Sequence, residues 1–435
     1  MRSALISFLL LVTAVSNTMT FAQTPEEFAQ AWDDNHVSDK PASDVRHADL
    51  KGYLEKLNGM GLKVGLAGLS YGGREIYQVE WGKGPFKVFM WSQMHGDEPT
   101  ATPALIDMFA FLEKNKDKIA WVGEMHNRLT IRAVPMLNPD GAEVFQRRNL
   151  QWIDINRDAR DLKTPEGQIL KKLVDDFYPD VGFNLHNQQE LTTVGSSHNQ
   201  ATISLLAVNG RADGSTYPGF ERNKRICSVM AEALARFIPG NIGRYSDAYN
   251  GLAFGDNISA WGSPVILIET GGLHGKDESF LIKLNFIAFL SALQAIVDGS
   301  AEKAGMELYE SLPSNSSGMI YNLIIRNAEI VIPGKSEQAS VLSDIGINRE
   351  RRRAQFIPPV YVRSIGDLSR QKGLEEFDAS PYYVVPKEGV MRRGVLASFL
   401  FYKKSRVIDF DSEEFEKEAE PDGIYLFGKW VKPLE

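Results

Sequence analysis

Between residues 23 and about 300, apolar runs of strand length alternate with helical patterns, and this alternation constrains the fold of the 435-residue chain more than any other feature. Residues 86–91, 129–134, 181–185, 203–208 and 265–268 predict strands. Helical spacing marks 26–31, 47–57, 100–114, 165–177, 220–237 and 279–297. Near-continuous apolar strands separated by helices predict an α/β fold with a mixed, mainly parallel sheet between helices. The last third changes texture. A polar stretch with Pro and Ser, 311–317, reads as a linker, and β-branched and aromatic runs follow at 320–332, 356–362, 382–385 and 395–402. They predict a small all-β domain. The chain therefore divides into residues 23–302, a linker over 303–318 and a β-sandwich-like domain over 319–435.

The amino terminus stands apart. Arg2 precedes an apolar run over 5–15 and then Thr20-Phe21-Ala22, the pattern of an export signal cleaved after Ala22. This predicts a secreted or periplasmic protein without stable membrane insertion, since neither that run nor any later one reads as long enough to span a bilayer. Lys and Arg number 48 against 56 Asp and Glu, a net charge of −8. The longest basic cluster, 349–353, is interrupted by Glu350, which argues against a nucleic-acid partner. The acidic stretch 409–420 reads as a solvated surface segment. Cys227 is the sole cysteine and falls in a helical apolar pattern, so no intrachain disulfide or multi-thiolate zinc site is available. A metal would have to be held by His and carboxylate.

Such groups gather at predicted strand ends. The run 86–91 leads into Met94-His95-Gly96-Asp97-Glu98, whose His95 and Glu98 are close enough in sequence to reach one ion from a turn. His186 follows the run 181–185, and Glu269 follows 265–268. In an open parallel sheet the carboxyl ends of neighbouring strands face one crevice. Two imidazoles and one carboxylate there would leave an ion an open position for water, and a second carboxylate could take that water's proton. The other histidines, His36, His47, His126, His198 and His274, have no partner at ligand spacing and read as surface or hydrogen-bonded residues.

Between these elements stand Asn138-Pro139-Asp140-Gly141, Arg147-Arg148-Asn149 and Asp154-Ile155-Asn156-Arg157, and Ile268-Glu269-Thr270 closes the series. In this order the motifs resemble the zinc carboxypeptidase (funnelin) family over roughly residues 45–297. The resemblance implies one Zn²⁺ per chain held by His95, Glu98 and His186, with Glu269 as general base. It implies that Arg147 stabilises the oxyanion, or Arg148 if the register slips, and that Asn156 and Arg157 hold a substrate's terminal carboxylate. Asp154 would hydrogen-bond a zinc-bound imidazole, although a turn aspartate reads equally well. The family's mobile tyrosine falls on Tyr245 or Tyr249, with Tyr249 better placed, and Asp256 would lie near the pocket for the terminal side chain.

A second resemblance covers the last third. Residues 321–334, 344–347, 365–367 and 377–386 are similar to the small β-sandwich of amidohydrolases, without that family's metal-bearing barrel. The combined expectation is an exported metallocarboxypeptidase acting on a peptide, including peptidoglycan stem peptides, or on a small amide with a free carboxylate. The alternatives are an N-acyl amino acid deacylase of the aspartoacylase or succinylglutamate desuccinylase type, and a binding protein with a degenerate site. Oligomeric state is not legible.

Overall fold

The computed structural model describes residues 23–334, 340–412 and 419–434, so the expected export signal and part of the acidic stretch lie outside the described residues. Nine strands precede the last third: β1 (Lys63–Leu69), β2 (Glu75–Gly82), β3 (Phe86–Ser92), β4 (Leu129–Val134), β5 (Val181–Asn187), β6 (Thr193–Val194), β7 (Ile203–Val208), β8 (Ile242–Arg244) and β9 (Val265–Thr270). All but β6 form one sheet in the order β1-β2-β4-β3-β5-β9-β7-β8. Its centre is parallel, β4-β3-β5-β9, while the β1–β2 and β2–β4 pairs and the β9–β7 pair are antiparallel. Successive residues of the central strands serve opposite layers. Val88 and Met90 point into the core under helices Ala101–Asn115, Pro218–Ala235 and Glu278–Asp298, while Phe89 and Trp91 face helices Pro165–Phe177 and Phe254–Ala260. Strands covered on both faces must be apolar throughout, which is why they are legible as unbroken runs.

Helix Glu278–Asp298 corrects one expectation. Within its 21 residues an 18-residue window has a mean hydropathy of 1.9, enough by length and composition to cross a membrane, but 78% of that window is buried inside the protein. Its apolarity is that of a core helix. Cys227 is packed in the same core, and burial pushes its thiol pKa up.

The expected linker is not a free tether. Residues Glu307–Ser311 form a helical turn, and Tyr309 is buried with its hydroxyl accepting from Ala207 N at 3.0 Å. Strand β10 (Asn315–Ser316) then pairs with β6, so the chain is stitched to the α/β unit before the β-domain begins.

The last third contains β11 (Ile320–Ile330), β12 (Val341–Arg349), β13 (Val360–Gly366), β14 (Lys372–Asp378), β15 (Tyr382–Pro386), β16 (Ser398–Lys403), β17 (Gly423–Leu426) and β18 (Lys429–Lys432). It is all-β, but the strands join one sheet rather than two facing ones, in the order β13-β12-β11-β15-β16-β17-β18 with β14 also on β11. The length of β11 explains this. One edge pairs with β12, while the other pairs first with β14 and then, further along, with β15. Backbone bonds from Ala397 N to Val360 O and from Val362 N to Val395 O curl the sheet back on itself around Phe377, Phe401, Tyr425 and Trp430.

Candidate metal centre and substrate cleft

The carboxyl ends of β3, β5 and β9 open into one cavity of about 1110 Å³ lined by His95, Glu98, His186 and Glu269. His186 lies directly opposite Glu269 in the β5–β9 register. Past β3 the chain turns at Gln93, a non-glycine residue at φ 53°, whose side chain donates to Gly96 O (3.0 Å) and accepts from Thr102 Oγ1 (2.8 Å). The turn that carries His95 and Glu98 is further fixed by Asn138. Its amide donates to Met94 O and its Oδ1 accepts from Gly141 N at 2.8 Å. Gly96 is required there because a side-chain carbon would collide with the Gly141 backbone. The N-P-D-G motif thus acts as a brace for the metal turn. Its Asp140, fully buried, accepts from Gly72 N and pairs with Arg74 at 2.6 Å.

One nitrogen or carboxylate oxygen from each of His95, Glu98 and His186 lies within 4.8 Å of the others. His95 Nδ1 is 2.9 Å from Glu98 Oε1, His186 Nδ1 is 2.6 Å from Glu98 Oε2, and the two Nδ1 atoms are 3.2 Å apart. All three residues are buried. Two imidazole nitrogens aimed at each other across a carboxylate are poorly satisfied by protons alone, because only one proton can sit between them. The electrostatics point the same way. Burial works against the charged form of His95, but Glu98 and Asp154 outweigh it and hold its pKa up at about 9. Burial opposes Glu98 ionisation, yet the two imidazoles hold its pKa well below the usual carboxylate range. Burial lowers the pKa of His186, whose Nε2 has no hydrogen-bond partner among the described residues. The site draws positive charge to the point where the three donors meet, and one zinc ion fits that donor set.

Around the triad, Asp154 Oδ1 bonds His95 Nε2 at 3.0 Å, fixing the ring so that Nδ1 faces inward. Burial would raise the Asp154 pKa, but His95 and Arg147 drive it below the usual carboxylate range. Asn187 N donates to Glu98 Oε2 at 3.2 Å. Arg147 Nε donates to Asp154 and Nη1 to Glu98, which leaves Nη2 for another acceptor. Arg148 turns away and donates to Trp152 O, so Arg147 is the arginine that lines the cavity. Asn149 faces the interior, donating to Glu166 and accepting from Gln151 N and Ile153 N. Glu269 is 8% exposed, and burial together with the Glu98 charge pushes its pKa well above the ordinary value.

The substrate residues divide. Asn156 lines the cavity, its Oδ1 accepting from Phe254 N at 3.0 Å, whereas Arg157 is exposed, donates to the Asn156 carbonyl and does not line it. Tyr249 is 49% exposed on its loop and outside the cavity lining. Tyr245 lines the cavity instead. Its N donates to Leu205 O, continuing the β7–β8 ladder, and its side chain reaches the cavity from that outer strand. Burial first, then Glu269, raises its pKa. Asp256 also lines the cavity; burial pushes its pKa up to about 6. The other histidines are placed elsewhere, His36, His47 and His198 each bonding a backbone carbonyl.

Sequence reasoning missed Gln188 and Asn315, which line the cavity and bond each other at 2.5 Å. It also missed Arg349, Arg351, Arg363 and Arg393, which the β-domain places along the cavity. No motif joins them, because loops far apart in sequence bring them together.

The geometry defines a mononuclear zinc centre at the carboxyl edge of an α/β sheet. Residues 53–202 match the zinc carboxypeptidase family model, and the matched segment bears His95, Glu98, Arg147, Asp154 and His186. Among curated relatives, carboxypeptidase 2 of Trichophyton rubrum is 28% identical over 102 residues, 23% of this chain and 18% of that protein. Carboxypeptidase D of Drosophila melanogaster is 30% identical over 141 residues, 28% of this chain and 10% of that protein. The chain thus spans under a fifth of the length of these relatives. Among solved structures, a metallo-carboxypeptidase from Burkholderia cenocepacia is similar at TM-score 0.48 and 15% identity, over 59% of this chain and 70% of that one. A metallo-carboxypeptidase from Pseudomonas aeruginosa, in complex with (2-guanidinoethylmercapto)succinic acid, is similar at TM-score 0.46 and 19% identity, over 58% and 68%.

Proposed function

We propose that the chain is an exported zinc carboxypeptidase that hydrolyses the last peptide bond of a peptide with a free carboxyl terminus, peptidoglycan stem peptides being one such class. The observation that carries this reading is Glu269, a buried carboxylate directly across the β5–β9 register from His186, lining the cavity without a side-chain partner among the described residues. A carboxylate costs free energy to bury there unless a cation or a proton-transfer role accompanies it.

Zinc held by His95, Glu98 and His186 would supply Lewis acidity and lower the pKa of water. Glu269 accepts a proton from the attacking water as its oxygen bonds the carbonyl carbon, and returns that proton to the amine as the C–N bond breaks. Arg147 donates to the carbonyl oxygen as it gains charge, using the nitrogen left over from its bonds to Asp154 and Glu98. Asn156 meets the terminal carboxylate from within the cavity, and Arg157 reaches it by swinging from its bond to the Asn156 carbonyl. The cavity volume favours a peptide over a small N-acyl amino acid, since about 300–1,000 Å³ already houses a drug-sized ligand and this one is about 1110 Å³.

The test offers zinc-loaded protein matched peptides with free and amidated carboxyl termini. Cleavage of the free forms alone is expected. Equal cleavage of both would remove the exopeptidase reading, and no cleavage of either with one zinc bound per chain would remove the hydrolase reading.

A further inference from the structure

The cavity is not built by the catalytic unit alone. The β-domain reaches across it through the segment after β12, and a buried side chain anchors that reach: Arg353, 4% exposed, donates to the carbonyls of Ser43 (2.7 Å), Ala142 and Glu143 (3.0 Å). Ala354 N adds a bond to Ser43 Oγ at 2.9 Å. Ala142 and Glu143 directly follow the N-P-D-G brace, so the reaching segment is fixed to the helix that braces the turn carrying the metal ligands. Phe145 takes Arg353 and Arg351 against its ring, at 5.4 and 5.9 Å.

Of the four β-domain arginines along the cavity, two have their charge matched: Arg349 faces Glu190 at 3.8 Å and Arg363 faces Glu350 at 3.3 Å. Arg351 and Arg393 have no carboxylate within ion-pair distance among the described residues, and both are exposed toward the opening. A guanidinium without a counter-charge at the mouth of a cleft is an anion receptor.

We propose that Arg351 and Arg393 select substrates that carry a carboxylate in the portion N-terminal to the scissile bond, making the β-domain a specificity wall of the cleft. This rests on the carboxypeptidase reading, in which the C-terminal carboxylate goes to Asn156 and Arg157 and the rest of the peptide leaves past the metal toward the β-domain. The preferred substrates are peptides with an acidic side chain, or another free carboxylate, next to the bond that is cut.

The experiment uses the full chain loaded with zinc and three peptides that differ only in Glu, Gln or Lys immediately before the scissile bond. Wild-type kcat/KM should favour Glu over Gln by about tenfold, with Lys lowest, and the preference should shrink at high ionic strength. In R351Q/R393Q the preference should vanish while the Gln peptide is cleaved within about twofold of wild type. The control R352Q, in the same segment but outside the cavity lining, should behave as wild type. Equal rates on Glu and Gln in the wild type, or an unchanged preference in the double variant, would overturn the proposal. If zinc-loaded wild type cleaves none of the peptides, the hydrolase reading has failed, and calorimetric titration of the same peptides decides the wall separately. Tighter binding of the Glu peptide that R351Q/R393Q abolishes supports it; equal or absent binding overturns it.

Discussion

The two walls of the cleft are made in opposite ways. On the sheet side, His95, Glu98, His186 and Glu269 are buried at the ends of central strands, and Asp154, Asn187 and Arg147 fix His95 and Glu98 by hydrogen bonds. On the β-domain side, Arg349, Arg351 and Arg393 are exposed, and of that segment only Arg353 is buried and fully bonded. The comparison separates two requirements. A metal and a proton carrier need donors fixed to a fraction of an ångström, which packed strand ends provide. A charged wall needs only its sign and approximate place, which a loop with one good anchor provides.

The largest test of this contrast is at the sheet side. Glu269→Gln should keep one zinc per chain by metal analysis and lose turnover by about 10³-fold or more, since the donors stay while the proton carrier goes. His186→Ala should lose both zinc and turnover, and should lose the rise in melting temperature that zinc gives the wild type. If Glu269→Gln retained turnover within tenfold, the two walls would not differ as described.

The anchor of the opposite wall comes next. Arg353→Met leaves three backbone carbonyls without their guanidinium donor, so thermal melts should show a loss of about 2–4 kcal/mol. Its kcat on a neutral peptide should fall far less than for Glu269→Gln. An equal fall in both would mean that the β-domain holds the metal turn itself in place.

Smaller effects sharpen the boundary between the walls. Tyr245→Phe should lower kcat/KM about tenfold, the worth of one hydrogen bond to substrate, whereas Tyr249→Phe should stay within about twofold. The reverse order would restore Tyr249 to the cleft. The smallest effect concerns Asp256, whose pKa stands at about 6, raised by burial and by Asp247 and opposed by Arg157. It is neutral below that pH and negative above it. The ratio of kcat/KM for Lys-terminated over Leu-terminated peptides should therefore rise a few-fold as pH passes upward through about 6. Asp256→Asn should flatten that rise, and a flat ratio in the wild type would take Asp256 out of the terminal side-chain pocket.

What the sequence discloses in advance follows from the same contrast. β3, β5, β7 and β9 are visible because strands covered on both faces are largely apolar, β4 is visible despite Thr130 and Arg132, and the donors stand at the ends of β3, β5 and β9. The β1–β2 hairpin is not, because β1 is half-exposed along its length and its pairing is broken by a bulge at Leu66/Gly68. Which of Tyr245 and Tyr249 lines the cavity is not legible in the sequence. The element that aims Tyr245 inward, β8, is three residues long and carries no periodic signal. Residues 356–362 mix two environments: Phe356 and Ile357 lie exposed in the loop, and the strand begins at Val360. The basic cluster 349–353 is visible as a run of charge too short for nucleic acid. Its meaning depends on a fold that brings Arg351 to the metal's cleft and buries Arg353, neither of which spacing along the chain encodes.

One small contact reaches beyond the cleft. Asn315 donates to Gln188 just past β5, accepts from Ser204 Oγ on β7, and stands in the strand that pairs with β6. The boundary between the two units is thus wired into the strand that carries His186, and modularity fails at that point. Truncation near residue 302 would strip Gln188 Oε1 of its donor and open the edge of β6, so the connector through Ser316 is heritable only together with the catalytic sheet. Exchange of terminal domains between relatives of this chain would have to keep Asn315 with the sheet, placing any tolerated crossover after residue 317 rather than in the polar stretch that looks like a hinge.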